Sequence, residues 1–171
     1  MRITLRPWQL GLGLVLGAVI GASVAVAYAA TSSFTAVRGG AIAAVAAVRG
    51  STPITVSTGN TSYANVPGAV LQMRGRGLLL IRFTAQSDCT GTMASDACSV
   101  QIVVDGAAAK PAAPNYVFDA NDSSGFQSPA IDRSIKVGPG LHTIRVKAKV
   151  NHAGASFGLN DWSLTVERST T

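Results

Sequence analysis

From Ile54 onward, hydrophobic and polar side chains alternate along short runs that Gly, Pro, Asn and Asp residues separate. In residues 79–86, for example, Leu, Ile, Phe and Ala occupy the odd positions, and Leu, Arg, Thr and Gln occupy the even ones. A period of two is typical of a β-strand with one buried face, and no helical period of useful length occurs. The chain is therefore predicted to be all-β, an antiparallel β-sandwich of about seven to eight strands, with a barrel as the alternative.

Two such runs flank the only two cysteines of the chain, Cys89 and Cys98. An even pair of cysteines outside the cytoplasm forms a disulfide by default. A metal site would need third and fourth Cys or His ligands nearby, and the sequence around the pair has none. We predict that the disulfide closes the connection of an antiparallel hairpin.

The C-terminal run changes phase near Asn160. Phe157 and Leu159 have one parity, whereas Trp162 and Leu164 have the other. A single extra residue in a strand produces such a change, so the pattern predicts a bulge or a corner at this point, with Trp162 pointing inward.

The N-terminus has the organisation of a secretory signal peptide. Arg2 and Arg6 precede an apolar stretch without charges, which ends in Ala27-Tyr28-Ala29, the small-x-small pattern of a cleavage site. We predict a signal-peptide helix over residues 1–29, cleavage after Ala29, and a secreted or cell-surface protein without a further membrane span. An uncleaved anchor is the alternative, since the apolar stretch could just span a bilayer.

Residues 30–52 are rich in Ala and Gly and are predicted to form a tether that precedes a sandwich domain over residues 53–169. Within this tether, Ala41 to Val48 could form a short helix or an edge strand, and periodicity does not decide between them. The net charge of +6 falls to +4 without Arg2 and Arg6, and no consecutive block of basic residues is present. This charge does not predict a nucleic-acid partner, and no cofactor is predicted.

The segment from Ala107 to Pro129 is long, polar and proline-bearing, as binding loops are. Its candidate contact residues are Tyr116, Asp119, Asn121, Asp122 and Phe126. The oxygens of Asp119, Asn121 and Asp122 would suit calcium, but their spacing does not fit an EF-hand loop, and these residues also favour turns. We therefore predict no metal site, and calcium at these three residues is the alternative.

No catalytic constellation is found. The segment Gly154 to Gly158 matches the G-x-S-x-G pattern of serine hydrolases around Ser156. That motif needs a strand leading into a helix, followed later by an acidic residue and a histidine. No histidine follows Ser156, so the segment is interpreted as a connection between strands. Of the two histidines, His142 is predicted to pack at a sheet edge and His152 to lie in a turn.

The order of the short sequences LLLIRFTAQSDCTG, CSVQIVVDG, GPGLHTIRVKAKV and FGLNDWSLTVER resembles uncharacterised exported proteins of actinobacteria. The similarity extends over about Ile54 to Arg168. It implies a jelly-roll form of the sandwich and an extracytoplasmic location, but no activity, because a jelly roll supports many unrelated functions.

Together these observations predict a secreted or envelope-associated, non-catalytic binding domain, whose partner is an extracellular glycan or a cell-wall polymer. A structural, self-associating envelope protein is the alternative, and a hydrolase is less favoured.

Overall fold

The computed structural model describes residues 40–56, 60–112, 116–121 and 125–170. In these ranges every helix or strand element is a strand, and the strands form two antiparallel sheets packed as a sandwich. The strands are β1 (Ile42–Gly50), β2 (Ile54–Val56), β3 (Ala64–Arg74), β4 (Gly77–Thr90), β5 (Ala97–Val104), β6 (Ala107–Ala108), β7 (Val117–Ala120), β8 (Ala130–Val137), β9 (Leu141–Val150) and β10 (Ser156–Ser169).

Strands from the first half of the chain pair with strands from the second half. β1 pairs with β10, β3 with β9, β4 with β8 and β5 with β7, always antiparallel. Successive pairs alternate between sheet A, in the order β1-β10-β4-β8 with β2 beside β10, and sheet B, in the order β3-β9-β5-β6 with β7 beside β5. This is the arrangement of a jelly roll, in which eight strands fold into two facing sheets. The predicted all-β sandwich is confirmed.

The alternating pattern places one face of each long strand in the core between the sheets. On β4, Leu79, Ile81 and Phe83 are fully buried, whereas Arg82 between them is exposed. The ring of Phe83 lies 5.8 Å from that of Phe118 and 6.3 Å from that of Trp162, measured between centroids. Burial of such side chains contributes about 1.5 to 3 kcal/mol each, which makes this core the main source of stability.

The phase change in the last strand is a bulge inside β10. The register opposite β4 shifts between Asn160 and Ser163, and Asp161 has a φ of 37°. Because of the extra residue, Leu159 and Trp162 face the same core although their sequence parities differ. The strand therefore stays in sheet A and does not turn a corner between sheets.

The predicted start of the domain at residue 53 is too late. β1 (Ile42–Gly50) is an edge strand of sheet A, paired with β10, and its Ala44, Ala46 and Val48 pack against the core. The alanine-rich composition conceals this strand, because small side chains give a weak alternation. Residues 1–39, which contain the predicted signal peptide and the start of the tether, lie outside the described residues. Within the described part of the chain, no helix is long and apolar enough to cross a membrane.

The disulfide between Cys89 and Cys98 is confirmed, but the predicted hairpin is wrong. Cys89 lies on β4 in sheet A, and Cys98 lies on β5 in sheet B, with their Cα atoms 5.8 Å apart. The disulfide therefore joins the two sheets. The alternation shows that β4 and β5 each have an inward face, but it does not show whether the two strands share a sheet. The strand pairing places β4 in sheet A and β5 in sheet B.

His142 is buried at the start of β9. Because β9 lies between β3 and β5, the predicted position at a sheet edge is wrong. The Nδ1 of His142 lies 2.7 Å from Oδ2 of Asp105, and its Nε2 lies 2.9 Å from the carbonyl oxygen of Gly138. Both partners accept hydrogen bonds, so the ring donates through both nitrogens in its protonated form. The bond to Asp105 raises the pKa of His142, and the backbone N–H of Thr143, followed by His142, lowers the pKa of Asp105.

Candidate binding groove

The segment after β5 connects sheet B to β8 of sheet A. The N–H of Lys110 donates to the carbonyl of Ser134 at 2.8 Å, and the N–H of Ser134 donates back to Lys110 at 2.7 Å. Further along, Gln127 and Ser87 exchange the same pair of bonds, each at 2.8 Å. The segment predicted as an irregular loop is therefore fastened to β8 and β4 at two points, and it contains the short strands β6 and β7.

Beside the first of these points, a groove of about 420 Å³ opens on the outer face of sheet A. Cross-strand neighbours form its floor in two rows. Arg82 on β4 lies between Asp132 on β8 and Thr165 on β10, and in the next row Leu80 lies between Ser134 and Glu167. Lys110 and Pro111 of the loop form one wall. The groove thus depends on the register of three strands and on the attachment of the loop.

The groove contains charged groups of both signs. Arg82 Nε donates to Asp132 Oδ1 at 2.7 Å, and this bond raises the pKa of Arg82. Both side chains remain about two-thirds exposed, so the ion pair itself adds little stability and its remaining donors and acceptors face solvent. Glu167 and Lys110 add one charge of each sign, and Arg133, whose Nη1 donates to the carbonyl oxygen of Asp132 at 2.7 Å, adds one further positive charge. The groove therefore presents hydrogen-bond donors and acceptors without a strong net charge.

Apolar surface is also available in the groove. Leu80 is 45% exposed although it lies on β4, an interior strand of sheet A, and Pro111 is exposed on the wall. An exposed leucine alone needs no functional explanation. Here it lies among carboxylates, a guanidinium and hydroxyls, and small-molecule sites commonly combine an apolar contact with a few polar groups in this way.

Of the predicted contact residues, Asp119 and Asn121 serve the fold. Asp119 is buried, and its Oδ2 accepts a hydrogen bond from Ser87 Oγ at 2.6 Å while its Oδ1 accepts one from the N–H of Ala120 at 2.8 Å. The side-chain amide of Asn121 donates to the carbonyls of Gly91 and Met93, each at 3.0 Å. Both carboxylate oxygens of Asp119 thus have protein partners, and the side-chain nitrogen of Asn121 is held by two carbonyls. Across the described residues, no group of three or more His, Cys, Asp or Glu could hold a metal ion.

The other predicted residues lie apart from each other. Tyr116 is half-buried, with the guanidinium carbon of Arg133 4.6 Å from its ring centroid. Phe126 is 54% exposed and lines a second depression with Pro53 and Asp88. Asp122 lies outside the described residues. The five residues therefore do not form one site in the part of the chain that is described.

The floor of the groove was missed because its members look like an ordinary solvated face. Arg82 and Asp132 are 50 residues apart in the chain, and only the pairing of β4 with β8 brings them together. The one local signal is Leu80, an apolar residue at a position of outward parity.

The segment around Ser156 does not have the context of a hydrolase elbow. Ser156 begins β10 and pairs with Thr90 of β4, so no helix follows it. His152 lies in the preceding turn, where its Nδ1 accepts a hydrogen bond from the N–H of Gly154 at 3.1 Å and lies 3.8 Å from the buried Oδ1 of Asp96. The interpretation of residues 154–158 as a connection between strands is consistent with this geometry.

No protein-family model matches this chain, and no curated protein matches it. Among solved structures, it is similar to dimeric latent PorU from Porphyromonas gingivalis, with 10% identity, a TM-score of 0.43 and coverage of 81% of this chain and 14% of that one. The VP2 subviral particle of infectious bursal disease virus gives 8% identity and a TM-score of 0.45 over 75% of this chain and 37% of VP2. CBM35 from Cellvibrio japonicus Abf62 gives 16% identity and a TM-score of 0.34 over 75% of this chain and 99% of CBM35. The chain thus spans well under two thirds of the first two proteins, and similarities this low do not transfer a ligand or an activity.

Proposed function

We propose that this protein is a secreted or cell-surface, non-catalytic binding domain, and that the groove on sheet A binds a segment of an extracellular glycan or cell-wall polymer. The observation that carries the proposal is the pair of polar rows around Leu80, closed on one side by Lys110 and Pro111. This site combines the loop and the adjoining sheet rim in one concave surface.

The chemistry of the groove suits a hydroxyl-rich ligand. The guanidinium of Arg82 and the ammonium of Lys110 can donate hydrogen bonds, and the carboxylates of Asp132 and Glu167 can accept them. Leu80 can contact the C–H face of a sugar ring. Because three cations and two carboxylates line the groove, its net charge is only +1, and a neutral sugar can use donors and acceptors together.

The disulfide supports the extracytoplasmic location. Cys89 and Cys98 are both buried, and structural disulfides form and persist mainly in oxidising compartments. This location would bring the groove into contact with envelope and extracellular polymers.

Retention of the purified protein on insoluble polysaccharides and peptidoglycan tests the proposal. We expect Glu167→Gln to weaken retention about tenfold, since a hydrogen bond to a charged group contributes about 1.5 to 3 kcal/mol. The matched control is Asp161→Asn, which removes one negative charge from the same strand outside the groove. The proposal is wrong if the wild type is retained on no polymer, or if both variants bind as the wild type does.

A self-associating protein remains the second candidate because of the edge strand β1. Ile42 and Val45 on this strand are each 61% exposed, and in the described residues β1 pairs only with β10. An unpaired edge with exposed apolar residues is a template for pairing with another chain. Sedimentation at micromolar concentration distinguishes the two functions, since this candidate requires a dimer or larger species.

A further inference from the structure

The two sheets carry different charges. The strands β3, β9 and β5 of sheet B contain four Arg or Lys residues and no Asp or Glu. The strands β1, β10, β4 and β8 of sheet A contain five Arg or Lys residues and four Asp or Glu. The excess positive charge of these strands is therefore concentrated on sheet B, away from the groove.

The cations of sheet B lie on its outer face. The inward residues of β9 are His142, Ile144, Val146, Ala148 and Val150, all buried. Arg145, Lys147 and Lys149 therefore point outward, spaced by about 7 Å along the strand. Arg74 lies opposite Leu141, at the far end of the same face. We call the outward residues of β3, β9 and β5 the basic face.

Hydrogen-bonding side chains lie between these cations. Lys147 is flanked by Asn65 on β3 and Gln101 on β5, and Thr143 lies opposite Gln72. Directly opposite residues of antiparallel strands point to the same face, so the amides and the hydroxyl are presented together with the charges.

Ion pairs within the described part of the chain do not neutralise Arg74, Arg145 and Lys147. No carboxylate of the described residues lies within 4.0 Å of a charged nitrogen of Arg74, Arg145 or Lys147. Lys149 has a different environment, with its Nζ 4.9 Å from the ring centroid of Tyr63. Two acidic residues adjoin these strands in sequence. Asp105 accepts hydrogen bonds from His142 and from the backbone of Thr143, and Asp96 is fully buried, with its Oδ2 accepting a hydrogen bond from the N–H of Met93. The positive charges of Arg74, Arg145 and Lys147 are thus available to an external partner.

We propose that the basic face is a second binding surface, and that its partner is an acidic polysaccharide whose carboxylates contact Arg145 and Lys147. Repeated cations on a flat face match repeated anions on a polymer, and the intervening amides can bond to the sugar hydroxyls. The proposal does not depend on the groove, because the two surfaces lie on opposite sheets.

The composition of the face favours a polysaccharide over a membrane or a nucleic acid. Insertion into a membrane needs an apolar face, whereas the exposed apolar residues here, Val70 and Leu141, are separated by Gln72 and Thr143. Binding of single-stranded nucleic acid relies on aromatic rings that stack on bases, and Tyr63, half-buried with Lys149 over its ring, is not free to do so.

The test measures binding of the purified protein to polygalacturonate by titration calorimetry in 50 mM and 500 mM salt. We expect binding that weakens at high salt, since exposed charges are screened. The double variant Arg145→Gln/Lys147→Gln should bind about 25-fold more weakly, at about 1 kcal/mol or fivefold per cation. The matched control is Arg49→Gln/Lys136→Gln, which removes two exposed cations from sheet A and should bind within twofold of the wild type.

Three results with the polymer would overturn the proposal: no binding of polygalacturonate at low salt, equal weakening by both double variants, or equal binding of the fully methyl-esterified polymer. It would also be overturned if anionic phospholipid vesicles or DNA bound more tightly than polygalacturonate and the Arg145→Gln/Lys147→Gln variant lost that binding. The Glu167→Gln variant of the groove separates the two proposals. It should bind polygalacturonate as the wild type does, even if the groove proposal fails.

Discussion

Removal of the inter-sheet disulfide should destabilise the protein by a calculable amount. The bridge joins residues nine apart in sequence, and the chain-entropy model gives about 2.6 kcal/mol for closing a loop of this size. Cys98 is fully buried and Cys89 is 5% exposed, so replacement of both by alanine also removes two buried sulfur atoms. We expect Cys89→Ala/Cys98→Ala to lower the free energy of unfolding by about 3 to 4 kcal/mol.

Urea unfolding, followed by far-ultraviolet circular dichroism and by Trp162 fluorescence, measures this change. The matched control is the wild type in reducing agent, which keeps both sulfur atoms and should lose only the loop-closure contribution of about 2.6 kcal/mol. Hydrogen exchange should rise first in residues 91–98, where the chain crosses between the sheets. A loss below about 1 kcal/mol in the double variant would refute the view that the bridge fastens one sheet to the other.

Three further predictions concern the core and the turns. Phe83→Ala should lower the free energy of unfolding by about 3 to 5 kcal/mol, because this fully buried ring contacts two others, and chemical denaturation measures the loss. The pKa of His142 is raised and that of Asp105 is lowered, so both groups stabilise the folded state. The stabilisation from His142 is lost as the pH rises through its folded pKa, and the stabilisation from Asp105 is lost as the pH falls through its folded pKa. The stability difference between the wild type and His142→Gln should therefore be largest between about pH 4 and 6.5 and shrink toward pH 9, and a constant difference would contradict this. Gly50→Ala should displace the indole of Trp162, because a Cβ there would lie 2.5 Å from the ring, and an unchanged near-ultraviolet spectrum would contradict the close contact.

The sequence predicts those parts of the fold that depend on local alternation. The inward positions of β4 and β9, the inward direction of Trp162 and the bulge near Asn160 all follow from the period of two. Each of these features is set by residues that are neighbours in the chain, and a pattern in the sequence reports them directly.

Pairing between distant strands is not encoded in the same way. The alternation around Cys89 and Cys98 is the same whether their strands share a sheet or face each other, so the hairpin was the simpler prediction and was wrong. In β1, alanines replace the larger residues that would reveal a strand, and only its pairing with β10 shows its place.

The candidate sites depend even more on distant neighbours. Arg82, Asp132 and Thr165 come from three strands, and a shift of one residue in any of them would turn the floor of the groove to the other face. Asp119 shows the opposite case, because its turn-forming sequence suggests an exposed residue, whereas its carboxylate bonds to Ser87 in the interior.

The most direct test of the proposed function is a titration of the isotope-labelled protein with soluble fragments of a polysaccharide that retains it, followed by backbone and side-chain NMR. Binding in the groove predicts chemical-shift changes that are largest for Leu80, Arg82, Thr165 and Glu167 and reduced in Glu167→Gln. Changes that fall only on other surfaces, such as the depression at Phe126 or the edge of β1, would contradict the assignment of the groove as the binding site.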